Sequence, residues 1–133
     1  MTVFLDTSAI LAVLNADDLH HQEADAIWQS LLASDEPLLS TSYVLVETFA
    51  LVQRRIGMDA VRAVERDMVP SLNVHWLDAD LHKASIAFWL AANRRSLSLV
   101  DCSSFEVMRR HGVQRAFAFD PHFAEQEFEL MRA

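Results

Sequence analysis

Val3-Phe4-Leu5-Asp6-Thr7-Ser8, running on into Ala9-Ile10-Leu11-Ala12-Val13-Leu14, decides the fold of this chain. A short apolar run closes on a carboxylate and two hydroxyl residues, and the pattern then turns helical. Such a run reads as a strand buried on both faces, as inside a parallel sheet. Ligands of open α/β sheets bind beyond the carboxyl ends of the strands, which is where Asp6 falls. A second reading makes Asp6 only the N-cap of the helix, since Asp, Thr and Ser all cap well. Further carboxylates converging on the same edge would favour the first reading.

The rest of the chain repeats the alternation. Helices are expected over Ser8–Asn15 and His21–Ala33, the second with Ala24, Ile27, Trp28 and Leu31 at helical spacing. Residues 37–41 read as a strand, and a helix follows from Ser42 to about Ile56. That helix is apolar almost all round, which predicts burial on more than one side. Glu47 lies on its stripe with Tyr43, Val46 and Ala50. A carboxylate there is costly unless something meets it, and it is too far along the helix to be a simple macrodipole partner. Gly57 ends that helix, and Met58 to Met68 forms the next, before Pro70. Val74–Leu77 reads as a strand, followed by a helix over Asp80–Arg94 with Ile86, Phe88, Trp89 and Leu90 inward.

Ser98-Leu99-Val100-Asp101 opens another helix in the manner of a capping box, although the box proper carries Glu or Gln last. Asp101 shares a stripe with Ser104, Phe105 and Met108, so it faces inward from a helix start. Arg115–Asp120 reads as a strand that, like the first, ends in an aspartate. Asp120 before Pro121 also suits a turn or cap. Phe128–Leu130 reads as an edge strand. His20 and His21 fit surface or capping positions better than a metal pair, and His75 fits a partly buried sheet position.

Composition narrows the class. A length of 133 residues fits one domain, residues 1–133, and two glycines and three prolines exclude most loop-rich folds. No apolar stretch is long enough for a membrane span, no basic leader precedes the first strand, and the single cysteine, Cys102, has no internal partner. A cytoplasmic protein is expected. The net charge of −8 argues against a general nucleic-acid coat protein. The first 53 residues hold eight acidic residues and no Lys or Arg, and the remainder holds eleven of each sign. An acidic protein can still act on nucleic acid if divalent cations neutralise a carboxylate cluster.

Alternating strands and helices imply a parallel sheet covered on both faces. Its carboxyl edge would collect Asp6 and Asp120 from strand ends and Glu47 and Asp101 from the first turns of helices. Clustered carboxylates repel one another and need protons or cations. Their hard oxygens suit Mg²⁺ or Mn²⁺. Arg94 and Arg95, a few residues before Asp101, are candidates for RNA phosphate contact. Arg54-Arg55 and Arg109-Arg110 fall at helix ends away from the acidic edge.

The ordered set Leu5-Asp6-Thr7-Ser8, Glu47 in a buried helix, Leu99-Val100-Asp101-Cys102-Ser103-Ser104-Phe105 and Phe119-Asp120-Pro121-His122-Phe123 resembles PIN-domain ribonucleases. In size and layout the chain is similar to the VapC-type toxins of type II toxin–antitoxin systems. The resemblance implies a PIN-like three-layer α/β/α sandwich with a central, mostly parallel sheet of four to five strands. It implies hydrolysis of RNA phosphodiester bonds dependent on Mg²⁺, with Mn²⁺ able to substitute. Asp6 and Asp101 are then the principal metal ligands, and Glu47 and Asp120 supporting or second-metal ligands. Thr7, Ser8 and Ser103 would hold them in place. A protein antitoxin that blocks the site and a homodimer are the implied partners. The alternatives are a PIN-type nuclease of RNA processing without a toxin role, and a non-catalytic α/β binding module whose acids are only caps. An aspartate-nucleophile phosphatase fits less well, because Ser8 stands where its second Asp is expected. A receiver-like module lacks its early acidic pair, and the only lysine is Lys83.

Overall fold

Val3–Leu5 forms strand β1, and all three residues are fully buried. In the computed structural model, which describes residues 1–133, β1 is the centre of a five-stranded sheet. Leu38–Thr41 (β2) and Asn73–His75 (β3) lie to one side, and Arg115–Phe117 (β4) and Glu129–Leu130 (β5) to the other. The order is β3-β2-β1-β4-β5, and every pairing is parallel.

Alternation along β1 divides the core. Val3 and Leu5 point to one face, where they meet Ala9, Ile10 and Ala12 of helix α1 (Thr7–Leu14) and Ala24, Ile27, Trp28 and Leu31 of α2 (His21–Ala33). Phe4 points to the other face. There it joins Leu81 of α5 (Ala79–Ala92), Cys102, Phe105, Val107 and Met108 of α6 (Leu99–Arg110), and Phe123 of the short α7 (His122–Glu125). The period of two along a strand thus places helices on both sides of one sheet, the expected three-layer sandwich. Helix α3 (Ser42–Arg55) contributes Val44 to the second core and Val52 to the first.

Several expectations need correction. The helix expected over Met58–Met68 is α-helical only to Ala63 (α4, Met58–Ala63). It widens into a π turn at Val64–Met68 and tightens into a 3₁₀ turn at Val69–Ser71. Pro70 cannot continue an α-helix without striking the carbonyl four residues back, so the helix winds down ahead of it. Strand β4 stops at Phe117, three residues short of Asp120. Its partner β1 ends at Leu5, and the last rung is the bond from Asp6 N–H to Phe117 O at 3.1 Å. Leu90 is exposed, because α5 packs through Leu81, Ser85, Phe88 and Trp89, and Leu90 lies one residue, ~100°, off that stripe. Helix α3 is not buried all round either: Val46 is 69% exposed and Ala50 is exposed.

Candidate active site

Chain reversal after each strand brings four acids to one edge. Asp6, Thr7, Ser8, Leu11, Glu47, Leu51, Ser98, Asp101 and Asp120 line a single open cleft of about 280 Å³. No Lys or Arg lines it, and Asp6, Glu47 and Asp101 form no salt bridge. Four far-separated carboxylates therefore converge with no Lys or Arg among them, and His122, beside Asp120, is the one basic side chain near them.

Asp6 is both a cap and a member of the cleft. Its Oδ2 accepts from Ser8 N–H at 3.1 Å, which caps α1, and from the Ser8 hydroxyl at 2.6 Å. Only 3% of it is exposed. Burial pushes its carboxyl up to about 7 against the two Ser8 bonds, and the negative Asp101 and Asp120 add to the rise. The two sequence readings of Asp6 were thus never exclusive: the same bonds that start α1 aim the free carboxylate edge into the cleft.

Asp101 repeats the arrangement. Ser98 N–H donates to Asp101 Oδ2 at 3.1 Å while Asp101 N–H donates to Ser98 Oγ at 3.0 Å, a complete capping box with Asp in the final place. Burial raises its carboxyl, opposed by the Ser98 backbone and raised again by Asp120. Glu47 is half-buried on α3. Burial raises it too, the nearby Thr7 hydroxyl lowers it, and Asp101 and Asp120 raise it. Asp120 follows β4 in a loop, and its Oδ1 accepts from His122 N–H at 2.9 Å.

The hydroxyl residues divide. Thr7 Oγ1 lies 3.0 Å from Thr48 Oγ1 and 3.4 Å from Val44 O, which joins the start of α1 to α3 beside Glu47. Ser8 Oγ also accepts from Phe119 N–H at 3.0 Å. Ser103 is corrected: its hydroxyl donates to Val100 O at 2.7 Å within its own helix, it is fully buried, and it does not reach the cleft. Ser98 occupies the place expected for it. Arg94 and Arg95 lie in a separate shallow hollow with Trp89, Leu90 and Asn93, and Arg94 is ion-paired to Glu125 at 2.9 Å.

Two residues of the site were not singled out from sequence. Thr48 is fully buried and follows the acid of α3, a position indistinguishable in sequence from an ordinary core threonine. His122 is 9% exposed, and one of its ring nitrogens and one oxygen each of Asp101 and Asp120 lie within 4.8 Å of one another. Burial opposes charge on its ring, but Asp120, the Ser96 carbonyl, Glu125 and Asp101 together hold it above the ordinary histidine range. The His122 signal was present in Asp120-Pro121-His122, two residues from a site acid.

The donor set suits a hard divalent cation. It consists of carboxylate oxygens around an open cleft, and the proton affinities of Asp6, Glu47 and Asp101 are raised by burial and mutual repulsion. A bound cation would relieve that repulsion.

Residues 3–129 match the family profile described as PIN domain. The chain is 37% identical over 132 residues to proteins named 23S rRNA-specific endonuclease VapC20 from two Mycobacterium tuberculosis strains, covering 98% of each chain. The crystal structure of M. tuberculosis VapC20, described as a sarcin–ricin loop cleaving toxin, superposes with a TM-score of 0.86 at 33% identity, over 98% of this chain and 99% of that one. VapBC2 from Rickettsia felis, bound to a promoter DNA fragment, shares the fold at a TM-score of 0.70 and 12% identity, over 98% of each chain.

Proposed function

The chain belongs to the PIN domain family, and from that premise we propose that it is a divalent-cation-dependent ribonuclease acting as the toxin of a toxin–antitoxin pair. One domain spanning residues 1–133 carries the activity. The observation that supports this most is the convergence of Asp6, Glu47, Asp101 and Asp120 in one cleft that no Lys or Arg lines.

In this reading Asp6 and Asp101 are the principal ligands of Mg²⁺, for which Mn²⁺ substitutes, and Glu47 and Asp120 complete the site. A divalent cation held there supplies stabilisation of the charge that develops on phosphoryl oxygens during phosphodiester hydrolysis. The protein supplies position. Ser8 and the Ser98 capping box fix two carboxylates before substrate arrives. Glu47, on α3 and lining the same cleft as Asp101, would serve as a supporting or second-metal ligand. The relatives named for 23S rRNA cleavage make that RNA the first substrate to test, in the cytoplasm. No helix is long and apolar enough to cross a membrane.

The apolar hollow of exposed Val46 and half-buried Tyr43 and Val100, beside Glu47, supports the partner part of the proposal: a protein antitoxin covering the cleft, and a homodimer. The test of activity is incubation of the protein with 23S rRNA and with single-stranded RNA in Mg²⁺ or Mn²⁺. Cleavage should vanish with EDTA and in Asp101→Asn. Cleavage that survives both controls would come from a contaminant and would sink the assignment. Expression of the chain alone should arrest growth, and unaffected growth would remove the toxin role while leaving the nuclease.

A further inference from the structure

We infer that His122 is a positioning residue that sets the spacing of Asp101 and Asp120 by tying together the two loops that carry them; the inference rests on the cation site proposed above. The loop between α5 and α6 ends at Ser98, whose capping box orients Asp101. The loop after β4 ends at His122, whose backbone N–H orients the Asp120 carboxylate at 2.9 Å. Between them runs one half-buried bond: the Nε2–H of His122 donates to Ser96 O at 3.0 Å. Ser96 stands two residues before the cap of α6, and His122 two residues after Asp120. The imidazole therefore spans the gap between the segments that present the two carboxylates.

The surroundings hold the ring in that role. His122 is only 9% exposed, and its Nδ1 lies 3.4 Å from Glu125 Oε1. Glu125 in turn accepts from Arg94 at 2.9 Å through its other oxygen, a second tie between the same two segments. Trp89 Nε1–H donates to Leu97 O at 2.8 Å and fixes the loop from the α5 side. The ring nitrogen nearest Asp120 is already committed to Ser96, and it stands 3.9 Å from Asp120 Oδ1, too far for a strong direct bond. That arrangement makes His122 a support for the carboxylates and not a ligand. Partners that orient metal ligands typically contribute roughly 10- to 100-fold to metal affinity.

The test uses Mn²⁺ as the probe, with binding measured by calorimetry well below the melting temperature of each variant. His122→Phe keeps a ring in the buried slot but removes both nitrogens, and Mn²⁺ affinity should fall roughly 10- to 100-fold. His122→Gln places an amide N–H near the position of Nε2 and should restore most of that loss. Arg94→Ala, which cuts the exposed second tie, should lower the affinity by less, and it serves if His122→Phe does not fold. Amide exchange at Leu97 and Ser98 in the metal-free protein should quicken in His122→Phe and not in His122→Gln. Wild-type affinity in His122→Phe, or failure of both His122→Gln and Arg94→Ala to follow this order, overturns the inference while leaving the cation site standing. Nitrogen coupling from a directly bound imidazole in the Mn²⁺ spin-echo spectrum also overturns it, because His122 would then be a ligand. If the wild-type protein itself binds no Mn²⁺, the cation site fails and takes this inference with it.

Discussion

The hydroxyl of Ser8 accepts a hydrogen bond from the backbone N–H of Phe119, 111 residues further along the chain, at 3.0 Å. The same hydroxyl donates to Asp6 Oδ2 at 2.6 Å. One side chain therefore joins the strand-end acid of β1 to the loop that delivers Asp120, past the point where β4 has stopped pairing. Ser8→Ala should cost about 1–3 kcal/mol in chemical denaturation, since it leaves the Phe119 N–H without its partner. It should also weaken Mn²⁺ binding roughly 10- to 100-fold, as expected for a group that orients a ligand. Unchanged calorimetric binding would show that the Phe119–Asp120 loop keeps its place without this bond.

Asp6→Asn and Asp101→Asn should act in opposite directions on stability and activity. Each removes a carboxylate that burial and its neighbours disfavour in the metal-free protein. Metal-free melting temperatures should rise, while RNA cleavage and Mn²⁺ binding are lost. Asn also caps well, so the caps of α1 and α6 should survive both exchanges, and a lowered melting temperature in both variants would show that carboxylate repulsion does not limit metal-free stability.

How much of this was legible in the sequence follows from how local each cause is. The strand at Val3–Leu5, the helix at His21–Ala33 and the placement of the four acids on one edge all follow from periodicity and chain reversal. The end of β4 depends on where its neighbour β1 turns into a helix, and nothing in Arg115–Asp120 records that. The exposure of Val46 and Leu90 is likewise set by which stripe meets another helix. Ser103 was expected at the site from the family resemblance, but it stands two residues after Asp101, and a step of two along a helix turns a side chain ~200° away. Arg94 fell near the site acids in sequence as expected, yet Glu125, distant in sequence, claims it.

Asp6 also makes metal-free stability depend on pH. Its carboxyl lies at about 7 in the folded protein against an ordinary value of 3.8. Below pH 4 both folded and unfolded states hold the proton, and burial exacts no electrostatic cost from this group. As pH rises from 4 to 7 the unfolded chain releases the proton first, so stability falls across that window and levels above it. The contribution is on the order of 4 kcal/mol at one pH unit per 1.36 kcal/mol. Denaturation of EDTA-treated protein should therefore show lower stability at pH 7.5 than at pH 5, and Asp6→Asn should flatten the difference. Saturating Mn²⁺ should reverse the trend, since a cation competes with the proton for the same oxygens. A metal-free profile that rises with pH in wild type and Asp6→Asn alike would remove Asp6 as its cause.

Val46 offers a test of the partner surface that leaves the chemistry alone. It is 69% exposed on the face of α3 that also carries Glu47, with Tyr43 and Val100 beside it. Because it contributes little to the core, Val46→Gln should leave the free energy of unfolding within about 0.5 kcal/mol of wild type. Gln is also a better helix former than Val, so α3 should not suffer. If a second protein chain covers this face, the exchange sacrifices burial of a valine side chain, ~1.5–3 kcal/mol, which corresponds to roughly a tenfold or greater loss of affinity. Sedimentation would report that loss for self-association, and titration would report it for an antitoxin. Intact RNA cleavage alongside weakened association would assign the face to a partner. Unaltered association in both measurements would show that neither partner uses it.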